Sequence, residues 1–262
     1  MIPMRIALAQ ISCTPGDIAG NTRRIVERVR AAASAGANLV ALPEMSDTGY
    51  HMPTILRTAS SWDRGPFMEI AAAAAETKTV VVAGLSERVG DDVYNTVAVV
   101  GSGGSLIAKY RKTHLITAEP VCEQRYLKAG DSLTICNVGE WKVGLLTCYD
   151  IRFPEIARKL TLSGAELLIA PAAFPSARIG HWETITACRA IENQVYVAAV
   201  NRVGTDEGLA FGGCSRLLDP SGVLLAHAKD EDTLLLGDIS KTRLAEVRKG
   251  LHVLSDRRPE VY

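Results

Sequence analysis

An α/β fold, in which two sheets are covered by layers of helices, is predicted by three features of the sequence. Segments with strand character outnumber helical ones, and they run in the order βαβαββ, then ββαβαβββα. A plain doubly wound sheet would alternate the two element types throughout, and the paired strand runs here do not. No linker, low-complexity stretch or charge block divides the chain, so one domain over residues 1–262 is expected.

Composition narrows the function. Of 262 residues, 47% are hydrophobic and 22% charged, which is enough apolar surface for a sizeable core. Lys+Arg and Asp+Glu both number 29, so no charge excess points to nucleic acid or an anionic membrane surface. A small molecule and a second copy of the chain are the expected partners. No apolar run reaches the roughly 18 residues that span a bilayer, and Met1-Ile2-Pro3-Met4-Arg5 enters a strand pattern without a signal-peptide layout, so a cytoplasmic protein is expected. Cys13, Cys122, Cys136, Cys148, Cys188 and Cys214 are scattered without a Cys-x-x-Cys pair, which predicts reduced thiols and no metal.

In chain order, residues 5–10 read as a strand, followed by a Pro15-Gly16-Asp17 turn. Asn21-Thr22 is the expected cap of a helix whose Ile25, Val26, Val29 and Ala32 share one face, and Gly36 ends it. Residues 38–42 form a short apolar strand that stops at Pro43 and leaves Glu44 at its carboxyl end. Ligand groups in α/β sheets gather there, although an ordinary exposed glutamate reads the same way. Residues 45–53, with Gly49-Tyr50, are then a loop able to line a pocket. A helix over 66–76 and a strand over 79–84 follow.

Residues 95–100 and 106–109, joined by Gly101-Ser102-Gly103-Gly104, read as a hairpin. Its end, Tyr110-Arg111-Lys112-Thr113-His114-Leu115, is either a solvated strand end or a cationic site element, and Glu119-Pro120 lies in the loop beyond. Strands over 133–138 and 142–147 lead to Cys148, where Pro154-Glu155 opens a helix running to Ser163. A cysteine at a strand-to-helix junction is a candidate nucleophile with the Tyr149 amide free to donate beside it; the competing reading is an inert core thiol.

The segment 164–172 echoes 36–44 as helix end, strand, proline and loop, so Glu44 and the loop 172–180 would border one cleft. A helix over 181–193, a strand over 195–200 and a loop over 201–208 come next. Three strands over 212–218, 223–226 and 233–239 and a helix over 241–249 complete the chain.

Leu42-Pro43-Glu44, the Tyr110 to Leu115 segment, and Leu146-Thr147-Cys148-Tyr149-Asp150-Ile151-Arg152-Phe153-Pro154-Glu155, in this order and each at a strand end, resemble the Glu-Lys-Cys signature of the nitrilase, or carbon-nitrogen hydrolase, superfamily. The likeness runs from Arg5 to the C-terminal tail. It implies a four-layer α-β-β-α sandwich that usually dimerises through its helices, and amide-type hydrolysis with neither a metal nor an organic cofactor.

An amide carbon is a poor electrophile, so attack needs a thiolate, a donor for the developing oxyanion and an acid for the leaving amine. Cys148 is the expected nucleophile, its thiolate favoured by the Lys112 ammonium and the helix N-terminus. Lys112 and the Tyr149 N–H would form the oxyanion hole, with Glu44 as general base. Glu119 matches the family's second glutamate and is assigned to positioning Lys112 and substrate. None of the five histidines sits in a papain-like context; His114 is read as structural, and Asp150 and Arg152 as pinning the turn.

The segments Pro171 to Trp182, Arg189 to Tyr196 and Asn201-Arg202-Val203-Gly204 resemble the omega-amidase branch, which acts on 2-oxoacid amides. Tyr50, Ala173, Phe174 and Arg178 are the expected substrate contacts, with Arg178 holding a distal carboxylate bidentately. The Asn-Arg-Val-Gly loop is shared with N-carbamoyl amine amidases, so a carbamoyl amidohydrolase is the nearest alternative and a nitrilase a further one. A non-catalytic binding module would require the loss of Glu44, Lys112 or Cys148, and all three are present.

Overall fold

The strands that read as unbroken apolar runs are buried on both faces, and this decides the architecture. The computed structural model describes residues 3–261, so the expectations for Met1, Ile2 and Tyr262 lie outside the described residues. In the first half, β1 (Met4–Gln10), α1 (Ile18–Ser34), β2 (Leu39–Leu42), α2 (Met52–Thr58), α3 (Pro66–Thr77), β3 (Val80–Val89), β4 (Asp92–Val100) and β5 (Leu106–Arg111) follow in order. The second half holds β6 (Ile135–Val138), β7 (Trp141–Leu145), α4 (Pro154–Leu162), β8 (Leu167–Ala172), α5 (Ile179–Asn193), β9 (Tyr196–Asn201), β10 (Val203–Asp206), β11 (Leu209–Gly212), β12 (Arg216–Leu218), β13 (Leu224–His227), β14 (Thr233–Ile239) and α6 (Lys241–Gly250).

Two six-stranded sheets result, in the orders β14-β1-β2-β3-β4-β5 and β13-β12-β9-β8-β7-β6. Each has a parallel centre, β1-β2-β3 in one and β7-β8-β9 in the other, flanked by antiparallel strands. Period-2 alternation sends Leu39 and Ala41 of β2 between the sheets, against Leu167, Ile169 and Ala198, while Val40 and Leu42 face α1 and α3. On the far side, Leu168 and Ala170 of β8 pack beneath α4 and α5 with Ile156, Leu160 and Trp182. The layers are therefore α-β-β-α, as the family resemblance implied. A fully buried Leu or Ile at these positions contributes about 1.5–3 kcal/mol.

The elements differ from expectation where local signals were ambiguous. α1 starts at Ile18, capped by the Asp17 side chain accepting from the Gly20 N–H at 3.0 Å. Asn21, expected as the cap, is buried instead: its amide donates to the Thr14 and Asp47 carbonyls at 2.8 and 3.0 Å, tying the helix to the loop after Glu44. Met52–Thr58 is a helix, started by Pro53 in its first turn; it takes in the last two residues of the expected 45–53 loop and a stretch for which no element was expected. Residues 203–212 form the hairpin β10–β11, with Val203 paired to Gly212, in place of the expected loop.

Candidate active site

Glu44, Lys112 and Cys148 leave three strand ends and meet in the interior. Glu44 stands two residues beyond β2, in a chain that passes so close to β3 that a Cβ on Gly84 would lie 2.5 Å from the Pro43 carbonyl; only glycine fits there. Asp47 then fixes the loop, accepting from the Ser86 N–H at 3.0 Å and the Ser86 hydroxyl at 2.7 Å, and burial pushes its carboxyl up to about 6. Glu44 is wholly buried and fully engaged. Its Oε1 accepts from Asn95 Nδ2 at 2.6 Å and Lys112 Nζ at 2.9 Å, and its Oε2 accepts from the Ala173 N–H at 2.8 Å.

Lys112 follows β5 directly and is also buried, with a second carboxylate on its ammonium, Glu123 Oε1 at 2.7 Å. Burial opposes its charge, but Glu123 and Glu44 outweigh burial and raise the Lys112 pKa well above the usual lysine value. An ammonium has three N–H donors and these contacts occupy two, so one is left for an incoming oxygen. Glu123 is itself held by the Tyr50 hydroxyl at 2.7 Å and the Ile116 N–H at 2.7 Å. Burial and then Glu123 push the Tyr50 phenol well up, which keeps it a donor.

Cys148 opens a 3-10 turn, Cys148–Arg152, with φ of 44°, a left-handed conformation that non-glycine residues seldom adopt. The turn is braced by Asp150, whose carboxylate accepts from the Thr147 N–H at 3.0 Å, the Tyr110 hydroxyl at 2.8 Å and the His114 N–H at 3.1 Å. His114 also meets Asp150 through Nδ1 at 3.0 Å and stacks on Phe153. One buried carboxylate thus fastens the cysteine turn to the segment that carries Lys112. The Cys148 thiol lies within electrostatic reach of Glu44, Lys112 and the Ala173 N–H. Among the described residues the Tyr149 N–H donates to no atom, so it is available beside the sulfur.

The charge state of the thiol departs from expectation. Burial first, then the negative Glu44, push the Cys148 thiol well above its ordinary value, and Lys112 only partly opposes them. The expected support of a thiolate by Lys112 is thus opposed by burial and by Glu44.

Two predicted site residues lie elsewhere. Glu119 is exposed and pairs with Arg125 at 2.8 Å; the carboxylate on Lys112 belongs to Glu123, four residues later. The two glutamates share one irregular loop, and spacing from Lys112 did not separate them. Arg178 is exposed, with no side-chain partner among the described residues. Arg152 is half-buried and lies over Phe174, its guanidinium carbon 5.0 Å from the ring centroid.

Ala173 meets the site through its backbone N–H. Phe174 is buried against Trp182, and its main chain is clamped by Asn201, which accepts from the Phe174 N–H at 2.7 Å and donates to its carbonyl at 3.2 Å. Asn95, which the sequence reading passed over as a strand residue, is a direct partner of Glu44.

A cavity of about 540 Å³ beside the β10–β11 hairpin and another of about 510 Å³ beside Asn38 and Trp141 are lined by other residues, so neither is where the three groups meet. Cys148 itself is 2% exposed.

Residues 5–249 match the carbon-nitrogen hydrolase family model. The chain is 34% identical over 272 residues to omega-amidase NIT2 of Mus musculus, covering all of this chain and 98% of that one. It is 36% identical over 230 residues to 2-oxoglutaramate amidase of Bacillus subtilis, covering 87% and 88%. A CN-hydrolase superfamily protein from Xanthomonas campestris, whose crystal structure carries an arsenic adduct in the active site, superposes with a TM-score of 0.92 at 29% identity, with 98% of each chain covered. Fold, site and sequence agree: the chain belongs to the carbon-nitrogen hydrolase family and is a hydrolase of carbon–nitrogen bonds.

Proposed function

We propose that the protein is an amidase that converts small aliphatic amides, 2-oxoacid omega-amides among them, to a carboxylate and ammonia through a thioester on Cys148. The observation that carries this reading is the buried meeting of a thiol, a carboxylate and an ammonium with a spare donor, backed by the similarity to omega-amidase and 2-oxoglutaramate amidase.

As the Cys148 sulfur attacks the amide carbon, its proton passes to Glu44. The carbonyl oxygen becomes anionic against the free Lys112 N–H and the Tyr149 N–H, each such donor worth about 10²–10³ in rate. Collapse breaks the C–N bond, and Glu44 returns the proton to the departing nitrogen, releasing ammonia. Water then attacks the thioester while Glu44 takes its proton, the C–S bond breaks, and the proton goes back to sulfur. Asn95 and the Ala173 N–H hold Glu44 in place through both halves. Glu123 keeps Lys112 charged and aimed.

Ammonia release from 2-oxoglutaramate, glutaramate, N-carbamoyl-β-alanine, N-carbamoylputrescine and a simple nitrile tests the reading. Turnover of the amides and its loss in Cys148→Ala are expected; equal turnover by that variant, or none on any amide, contradicts it. Asn201 and Arg202 are wholly buried scaffold residues, so the carbamoyl alternative is decided by the N-carbamoyl substrates in this assay and not by their motif.

For a substrate carboxylate, Arg152 is the better holder than Arg178. It sits four residues after Cys148, between the Tyr149 and Phe174 rings, and its sole side-chain hydrogen bond among the described residues is a long one to His181 Nδ1 at 3.4 Å. A charge-assisted hydrogen bond is worth about 1.5–3 kcal/mol, so Arg152→Leu should raise KM for carboxylate-bearing amides by ~10–150-fold and leave neutral amides nearly unchanged. Equal losses on both classes reject the clamp.

Self-association is part of the same proposal. Leu162 of α4 and Ile191 of α5 are 47% and 52% exposed on the outer helical layer, which suits a second copy. Sedimentation should give a dimer that Leu162→Glu with Ile191→Glu dissociates; a monomer at micromolar concentration contradicts this part.

A further inference from the structure

Outside the reaction centre, the fold brings together three metal-binding donors that lie far apart in the sequence. Glu183 on α5, Cys214 in the connection from β11 to β12, and His227 at the end of β13 each place one ligand atom within 4.8 Å of the other two. His227 Nε2 lies 3.9 Å from Glu183 Oε1. We propose that these three side chains bind a borderline divalent cation of the zinc class, cross-linking α5 to the edge of the second sheet.

Thiolate, imidazole and carboxylate are the donor set that zinc takes, with water completing a tetrahedron. Zinc bonds of about 2.0–2.3 Å put tetrahedral ligands roughly 3.3–3.8 Å apart, so closing the set needs each donor to move by less than about 1 Å. His227 has that freedom, with its side chain 34% exposed, whereas Glu183 Oε1, the oxygen nearest His227, is already held by Arg216, so the approach falls mainly to the imidazole. Cys214 has φ of 54°, following Gly213 with φ of 56°, so a specific backbone bend presents its side chain.

Beyond this cluster, neither the Cys214 sulfur nor the His227 ring has a hydrogen-bond partner among the described residues. Arg216 pairs with His227 across β12 and β13 and donates to the Glu183 carboxylate and, at 3.2 Å, to the Glu183 carbonyl. It orients the carboxylate as outer-sphere partners of metal ligands do, while its charge moderates the affinity.

The site also explains a feature of the topology. β13 and β14 are consecutive strands that end in opposite sheets, and β13 is an edge strand held on one side only, by β12. An ion held by α5 and β13 adds a second attachment. Binding requires loss of the Cys214 proton, so it releases protons and weakens as pH falls.

The test uses the full chain carrying Cys148→Ala, which removes the reactive thiol as a competing ligand, titrated with Co²⁺ and followed by absorption. A sulfur-to-cobalt charge-transfer band should appear near one equivalent and vanish with added Zn²⁺. Cys214→Ser should abolish the band, and His227→Ala should weaken cobalt binding at least tenfold. Zinc should raise the melting temperature of the parent but not of Cys214→Ser. Far-UV circular dichroism and a cooperative thermal transition of Cys214→Ser matching the parent without metal show that the substitution leaves the fold intact; if that variant does not fold, Cys214→Ala takes its place in every arm. No band, or a band that survives replacement of Cys214, overturns the proposal. This site does not depend on the amidase reading and fails or stands separately from it.

Discussion

Two ion-pair networks are buried to the same degree and do opposite things. Around Lys112, a compact ammonium is shared between Glu44 and Glu123, which come from different segments, and one N–H is left over. Around Arg202, a guanidinium grips one carboxylate, Asp206, through both terminal nitrogens, donates to the Cys13 carbonyl at 2.7 Å and lies 4.3 Å over the Phe211 ring. Asp206 in turn accepts the Tyr50 N–H at 2.8 Å. A compact ammonium shared between carboxylates of two different segments can turn its remaining donor to a transient charge, whereas the planar Arg202 guanidinium is fixed by a carboxylate, a carbonyl and a ring, its Nε–H alone lacking a partner among the described residues. Tyr50 joins the two, its N–H on the holding network and its hydroxyl on the reacting one.

Substitutions that separate activity from stability test that contrast. The largest effect on rate is expected from Lys112→Ala, which removes the proposed oxyanion donor and leaves two buried carboxylates without their shared cation. kcat should fall by at least ~10³-fold, with a stability loss of about 3–5 kcal/mol. Lys112→Ala protein with wild-type kcat would erase the distinction.

Glu123→Gln keeps the shape and removes the charge that aims Lys112. A drop of about 10²-fold in kcat is expected, and urea unfolding should shift less than for Lys112→Ala. Asp206→Asn should give the converse. It leaves Arg202 uncompensated and costs about 3–5 kcal/mol in urea unfolding, while kcat of the folded fraction changes less than tenfold. If Asp206→Asn abolished catalysis at unchanged stability, the two networks would have to be regarded as one.

The smallest effect concerns pH. The hydrogen bond to Asp150, and then the Asp150 charge, raise the His114 pKa above 6.5. The group gains protons on folding, so its stabilisation is fully present below about pH 6.5, the unfolded value, and is lost as pH rises through the folded value. Thermal unfolding of wild type and His114→Gln should differ at pH 6 and converge by pH 9. A difference that grows with pH would reverse the sign and reject the assignment.

How much of this could be read from the sequence follows from which signals are local. Glu44 and Cys148 each follow an apolar strand and Lys112 follows the second strand of a hairpin, and those placements are visible within ten residues. Two helix-covered sheets were legible from the order of the elements, and their stacking into four layers came from the family resemblance.

Glu123 was not legible, because Glu119 and Glu123 occupy one loop and only the folded path decides which turns inward. Asn95 was hidden by strand register, which fixes the face a residue presents only once its partners are known. α2 and the β10–β11 hairpin, with seven and four residues per element, are too short for periodicity to register. The neighbours of Cys214 in the proposed metal site come from residues 31 positions before it and 13 after it, beyond the reach of a spacing rule.

The central claim is that Cys148 carries the acyl group. Rapid acid quenching of the enzyme during turnover of 2-oxoglutaramate, followed by mass analysis of the Cys148 peptide, tests it most directly. The account predicts a peptide heavier by the substrate minus ammonia, sensitive to hydroxylamine and absent in Cys148→Ala. An adduct on another residue, or ammonia released at the wild-type rate by Cys148→Ala, would contradict it.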